Sequence, residues 1–266
     1  MGKEGDHWAA APFKEFLNHQ MEVGCLVALS ERGILVLSRA PALLEAVAQW
    51  VDGETEERKA ERIDEAREDA KLAQREIDTG FALLHAQATV SLWGSLECLV
   101  RDFLVEWLAR QPGAGDLEPV RKIKISLGEY DAMAPEQRRR YIVESLDRDV
   151  QAPLRQGVDR FEALLAVFGL SGPVHDDIKR DLFELCNVRN ILVHRRGVAD
   201  SRFVKACPWL GLKPGGTVRV THDSFDRYGS ATTKYVTVLM KRVTARLGPS
   251  TPREGHALDG AVDLPQ

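Results

Sequence analysis

The chain has 266 residues, 44% hydrophobic and 29% charged, with a formal net charge of −4, an ordinary globular composition. No run approaches the roughly 18 uninterrupted apolar residues of a bilayer span, so no membrane segment is expected. The slightly acidic balance does not favour non-specific nucleic-acid binding, and any RNA site must be a local basic patch.

The start, from Met1 to Asp6, lacks a basic region followed by an apolar core, so no secretory signal is expected. Cys25, Cys98, Cys186 and Cys207 are widely spaced with no C-x-x-C pair. That argues against a zinc site and a disulfide framework, and points to reduced thiols in a cytoplasmic protein. Phe13, Phe16 and Leu17 fit a short amphipathic helix, which Gly24 and Gly33 are expected to interrupt. Pro41 opens a helix through Leu43, Leu44, Val47, Trp50 and Val51, closed by Asp52-Gly53. Residues 54–78 are dense in charge of both signs, and the pairs Glu54/Arg58, Asp64/Arg67 and Glu68/Lys71 suit a solvated helical arm. Docking of that arm on a partner or a second subunit is the alternative.

After Gly80 the pattern changes. Phe81, Leu84, Ala88, Leu92, Leu96, Leu99, Val100, Phe103, Leu104 and Trp107 recur at helical spacing over a wide face, which predicts a central helix. Gln111 to Gly115 stop it. A connector over 114–135 carries the anchors Val120, Ile123, Ile125 and Tyr130. Pro135 starts a helix through Tyr141, Ile142 and Leu146, and the next runs through Leu154, Phe161, Leu164, Leu165, Val167 and Phe168. A further helix begins near Pro173 or His175, passes Ile178, Leu182, Leu185, Val188, Ile191 and Leu192, and is capped by Gly197. Residues 204–207 and 217–220 flank Pro214-Gly215-Gly216, a pattern that allows a small β-hairpin. A last helix spans about 222–247, and the Pro- and Gly-rich residues 248–266 read as a disordered tail. The expectation is an all-α chain: a helical N-terminal extension over 1–79, a helical domain over 80–247 and the tail.

Within the penultimate long helix stands Arg189-Asn190-Ile191-Leu192-Val193-His194, followed by Arg195, Arg196 and Gly197. A guanidinium that keeps its charge clamps a phosphate or oxyanion. An imidazole trades a proton near neutral pH. On a helical wheel Glu184, Asn187, Asn190 and His194 form one polar stripe, while Arg189 falls on the apolar face among Leu182, Leu185, Cys186 and Val193. An arginine there must be paired or must reach a shared cleft. Glu97 of the central helix is the candidate partner, whether in a purely structural ion pair or as the group that orients a functional Arg189.

The spacing of Arg189 and His194, with a polar residue directly after the arginine, resembles the R-x4-6-H motif of the HEPN superfamily. Its setting agrees: a late helix, a following glycine, and an earlier long helix bearing Trp93, Glu97 and Arg101. The resemblance covers roughly residues 80–245. It implies an all-α, dimeric, metal-independent endoribonuclease of the toxin–antitoxin or antiphage type, with RNA as substrate and an antitoxin or another defence protein as a possible partner. Arg189 would bind the scissile phosphate and His194 would act as general base or acid. Asn190 would position the histidine or the phosphate. A composite cleft across a twofold axis would supply the second histidine. Arg195 and Arg196 either interact with the helix C-terminus or contact flanking RNA phosphates. Some members carry a tyrosine two residues after the histidine, which a partner antitoxin modifies; here that position is Arg196, which argues against that mode of control. The alternative is a non-catalytic HEPN-like module that binds a partner protein or a nucleotide. No compact metal-ligand spacing, Gly-rich phosphate loop or serine elbow is present, so no metal or cofactor is expected, and His85, His175 and His222 look incidental.

Overall fold

The structure is a computed structural model that describes residues 8–48, 50, 53, 55–151 and 156–247. Among the described residues it is all-α, and the expected tail over 248–266 lies outside them. The helices are α1 (Ala11–Leu37), α2 (Ala40–Ala48), α3 (Glu56–Asp78), α4 (Ala82–Arg110), α5 (Glu118–Arg121), α6 (Leu127–Ala132), α7 (Pro135–Gln151), α8 (Val158–Val167), α9 (Asp176–Arg195), α10 (Ser201–Ala206) and α11 (His222–Leu247). Among the described residues no helix is long and apolar enough to cross a membrane.

The central helix forms where the apolar pattern placed it. α4 packs on α1, α7, α9 and α11, and Trp93, Leu96, Val100, Phe103 and Leu104 are almost wholly buried. Each such side chain contributes about 1.5–3 kcal/mol through burial. Phe103 meets Phe13 of α1 at 5.4 Å between ring centres, and Trp93 meets Phe161 of α8 at 5.3 Å. Phe13 and Phe16 thereby share one core with residues 80–247. The entry to α4 is local chemistry. Gly80 takes φ 67° after α3. Its N–H bonds the Ile77 carbonyl at 3.0 Å and the Phe81 N–H bonds that of Glu76 at 2.7 Å, a Schellman closure.

Three expectations are corrected. First, α1 runs unbroken through Gly24 and Gly33 for 27 residues. Each glycine costs about 1 kcal/mol of helix propensity, but contacts along the helix outweigh that. Phe13, Phe16 and Val27 are buried, and His19 bonds Ser91 at 2.9 Å while Gln20 bonds Thr232 at 2.6 Å. Second, α2 is described over Ala40–Ala48 with no buried residue, and Trp50 stands in an exposed turn beyond it, while Val51 and Asp52 lie outside the described residues. Third, the hairpin does not form. Residues 201–206 are α10, because Asp200 caps it by accepting from the Phe203 N–H at 2.8 Å and Phe203 enters the core. Thr217 instead pairs with Val198 in an isolated antiparallel bridge. The connector over 114–135 also condenses into α5 and α6, the latter with a Ser126/Glu129 capping box.

The charged arm is α3. Arg67 pairs with Asp64 and Lys71 with Glu68 as the spacing predicts, while Glu54 lies outside the described residues. The arm folds back on its own chain, against α1 and α2, with Arg67 bridging to Glu45 at 2.7 Å. Such exposed pairs contribute little each, about 0–1 kcal/mol. α8 starts at Val158, and Leu154 lies outside the described residues. Just before it, Gly157 sits at φ 62°, where a Cβ would stand 2.8 Å from the Phe183 Cα. The α7–α8 connection can approach α9 so closely only through glycine.

Candidate functional site

α9 begins near the expected place, capped by His175, whose Nδ1 accepts from the Asp177 N–H at 3.4 Å. It leaves through two left-handed residues, Arg196 at φ 53° and Gly197 at φ 79°. Glycine takes that conformation freely, whereas at Arg196 it costs about 1–2 kcal/mol.

The polar stripe on α9 is divided by its neighbours. Glu184 is 1% exposed. It accepts from Tyr228 at 2.7 Å, from Arg227 at 2.5 Å and from the Trp209 indole. Burial opposes its charge, but the bonds from Arg227, Tyr228 and Trp209 outweigh burial and hold the carboxyl below its ordinary range. Burial, and then the same carboxylate, drive the Tyr228 hydroxyl upward. Asn187 is buried and its amide donates to the Phe183 carbonyl at 2.8 Å. Glu184 therefore faces α11 within its own chain, where Arg227 supplies the counter-charge. The open end of the stripe is the half-buried Asn190 and the exposed His194.

Arg189 meets Glu97, its anticipated partner, at 3.6 Å from Nη2. Glu97 also accepts from Arg160 of α8 at 2.8 Å. Arg160 makes two bonds to Asp147 of α7, at 3.1 and 2.7 Å, and Arg101 reaches Asp147 at 3.1 Å. Among the described residues Arg189, Arg160 and Arg101 thus share the two carboxylates Glu97 and Asp147. The site end of this chain is Arg189, whose Nη1 donates to Asn190 Oδ1 at 3.1 Å. Its Nε is buried without a partner, and the side chain is 26% exposed. The Asn190 Nδ2 lies 3.9 Å from Cys186 Sγ. Burial pushes the thiols of Cys186 and Cys207 up, the latter to about 12, so neither is a ready thiolate.

A cleft of about 320 Å³ is lined by Asn190, His194, Arg195, Asp200 and Arg202, among others. Arg189 is not among its lining residues and connects to it through Asn190. His194, Arg195 and Arg196 are all exposed at the end of α9. Arg195 is partnered by Asp200 at 3.6 Å. The cleft thus offers an imidazole, a carboxamide and guanidiniums, side-chain types suited to binding and handling a phosphate. Sequence reasoning missed Arg202 and Asp200, which stand beside His194 only because α10 folds back on α9, and Arg160, which shares Glu97 with Arg189. The His and carboxylate donors that converge to ligating distance among the described residues are Glu31, His85 and His222, none of which lines this cleft. Searches of protein-family models, of curated proteins and of solved structures find no match to this chain.

Proposed function

We propose that the chain is a metal-independent endoribonuclease that works as a homodimer. The observation that carries the reading is an exposed His194 in a basic cleft with Asn190, whose amide oxygen is bonded by the fixed cation Arg189. In the proposed reaction His194 removes the proton from a ribose 2′-hydroxyl, and the oxygen attacks the adjacent phosphorus. The 5′-oxygen leaves and takes a proton, giving a 2′,3′-cyclic phosphate and a 5′-hydroxyl end. Arg189, through Asn190, and Arg195 and Arg202 oppose the charge that grows on the phosphoryl oxygens. A second protonated His194 from a twofold-related chain serves as the acid, since one imidazole does not readily fill both roles at once. The substrate must be RNA, because DNA lacks the nucleophile. A toxin–antitoxin or antiphage setting, with an antitoxin or other defence protein as partner and a cytoplasmic location, belongs to this reading and rests on the motif resemblance.

The test is an RNA cleavage assay in excess EDTA, comparing wild type with His194→Ala. The expected loss is about 10²–10⁴ in rate, and RNA methylated at the attacked 2′-oxygen should stay intact. Equal rates for the two proteins would remove His194 from the mechanism. One observation favours the rival reading as a non-catalytic binding module: Arg189 is already engaged by Glu97 and Asn190 and stands outside the cleft lining. Wild-type protein that cuts no RNA but binds it, or binds a nucleotide, would support that rival.

A further inference from the structure

We propose that Glu31, His85 and His222 form a zinc site that fastens α1 to α4 and α11. The three side chains come from three helices, and their donor atoms all lie within 4.8 Å of one another. His85 Nε2 is 2.9 Å and His222 Nδ1 3.7 Å from the same oxygen, Glu31 Oε1. Ligands at about 2.0–2.2 Å around a tetrahedral zinc ion stand roughly 3.3–3.5 Å apart. The two separations bracket that value, so small rotations of the carboxylate and of the exposed His222 ring would seat the ion.

The donor chemistry agrees. Two imidazoles and a carboxylate suit zinc and other late first-row ions, not the all-oxygen sites of calcium or magnesium. Three protein ligands leave a fourth position for water. His222, with its side chain 59% exposed, gives that position and the entering ion a path from solvent.

The surroundings fix both rings. His222 directs its second nitrogen, Nε2, at Asp226 Oδ2, 3.3 Å away and one turn along α11. A ligating histidine is oriented in this way when its other N–H is held by a carboxylate. His85 is fully buried, stacked at 5.7 Å on Phe225 and met edge-on at 6.4 Å by Phe81. Its Nδ1 has no partner. Because that nitrogen carries the proton when Nε2 binds a metal, affinity should be about 10–100-fold below that of a site with both imidazoles supported. Without the ion, one carboxylate serves both imidazoles. The sequence hides the cluster, since residues 31, 85 and 222 show no metal-ligand spacing.

The experiment is calorimetric titration of chelator-stripped full-length protein with zinc chloride at pH 7.5, with cobalt(II) absorption as a spectroscopic check. One equivalent should bind, and zinc at about 100 times Kd should raise Tm by roughly 5–10 °C. His222→Ala and Glu31→Gln should each weaken binding more than tenfold while leaving the helical signal intact; both are preferred to a change at the buried His85. Asp226→Asn should weaken it by about tenfold. His175→Ala, which removes another exposed histidine–carboxylate pair, should leave zinc affinity unchanged. Absence of saturable binding, or undiminished affinity in both His222→Ala and Glu31→Gln, would overturn the proposal.

Discussion

Replacing Arg227 by alanine would expose how α9 is held in place. Glu184 sits ten positions before His194 on the same helix and is 1% exposed, while the Arg227 side chain that neutralises it is 37% exposed. Breaking a buried ion pair from one side costs about 3–5 kcal/mol. Solvent reaches Arg227, and Tyr228 and Trp209 still donate to the carboxylate. The screened figure is therefore about 2–3 kcal/mol. For a chain of this size that corresponds to a fall of roughly 5–10 °C in Tm. The pH dependence identifies the cause. In the wild type Glu184 is held below its unfolded pKa, so its contribution is present above the unfolded carboxylate range and lost as pH falls through the folded value. In Arg227→Ala burial dominates and raises the folded pKa above the unfolded one. The penalty is then greatest at neutral pH and shrinks as acid protonates Glu184. Thermal denaturation of both proteins at pH 7.5 and pH 5 should show the gap in Tm closing. A gap under about 1 °C, or one that widens toward acid, would refute the assignment.

Two other outcomes test the packing and the assembly. Gly157→Ala should destabilise by about 2–4 kcal/mol, since φ is positive and the added Cβ meets the α9 backbone; a Tm within about 2 °C of wild type would show that the α7–α8 connection yields freely. For the composite site, mixed dimers of one His194→Ala and one wild-type chain should lose most activity, where independent sites would keep about half; a fully active monomer in sedimentation would end the twofold scheme.

Much of the architecture was legible because it is set by neighbours in sequence. The wide apolar face of α4, Pro135 at the first turn of α7 and the left-handed glycines at 80 and 197 define helices by local sterics and burial pattern alone. The conjunction of Arg189, Asn190 and His194 was equally visible, as was Glu97 as the arginine's counter-charge, because an arginine on an apolar face demands one.

What the chain order concealed depends on contacts between distant segments. Gly24 and Gly33 ought to break α1, yet packing against α3, α4 and α11 keeps it whole. Glu184 looked like part of an open stripe until α11 brought Arg227 to it, and the stretch from Val204 to Cys207 suited a strand until the Asp200 cap turned it into α10. Local pattern measures how a segment prefers to fold and which face is apolar. Which charge meets which, and therefore which polar residue is neutralised inside the chain and which stays open to solvent, is decided by the packing of helices far apart in sequence.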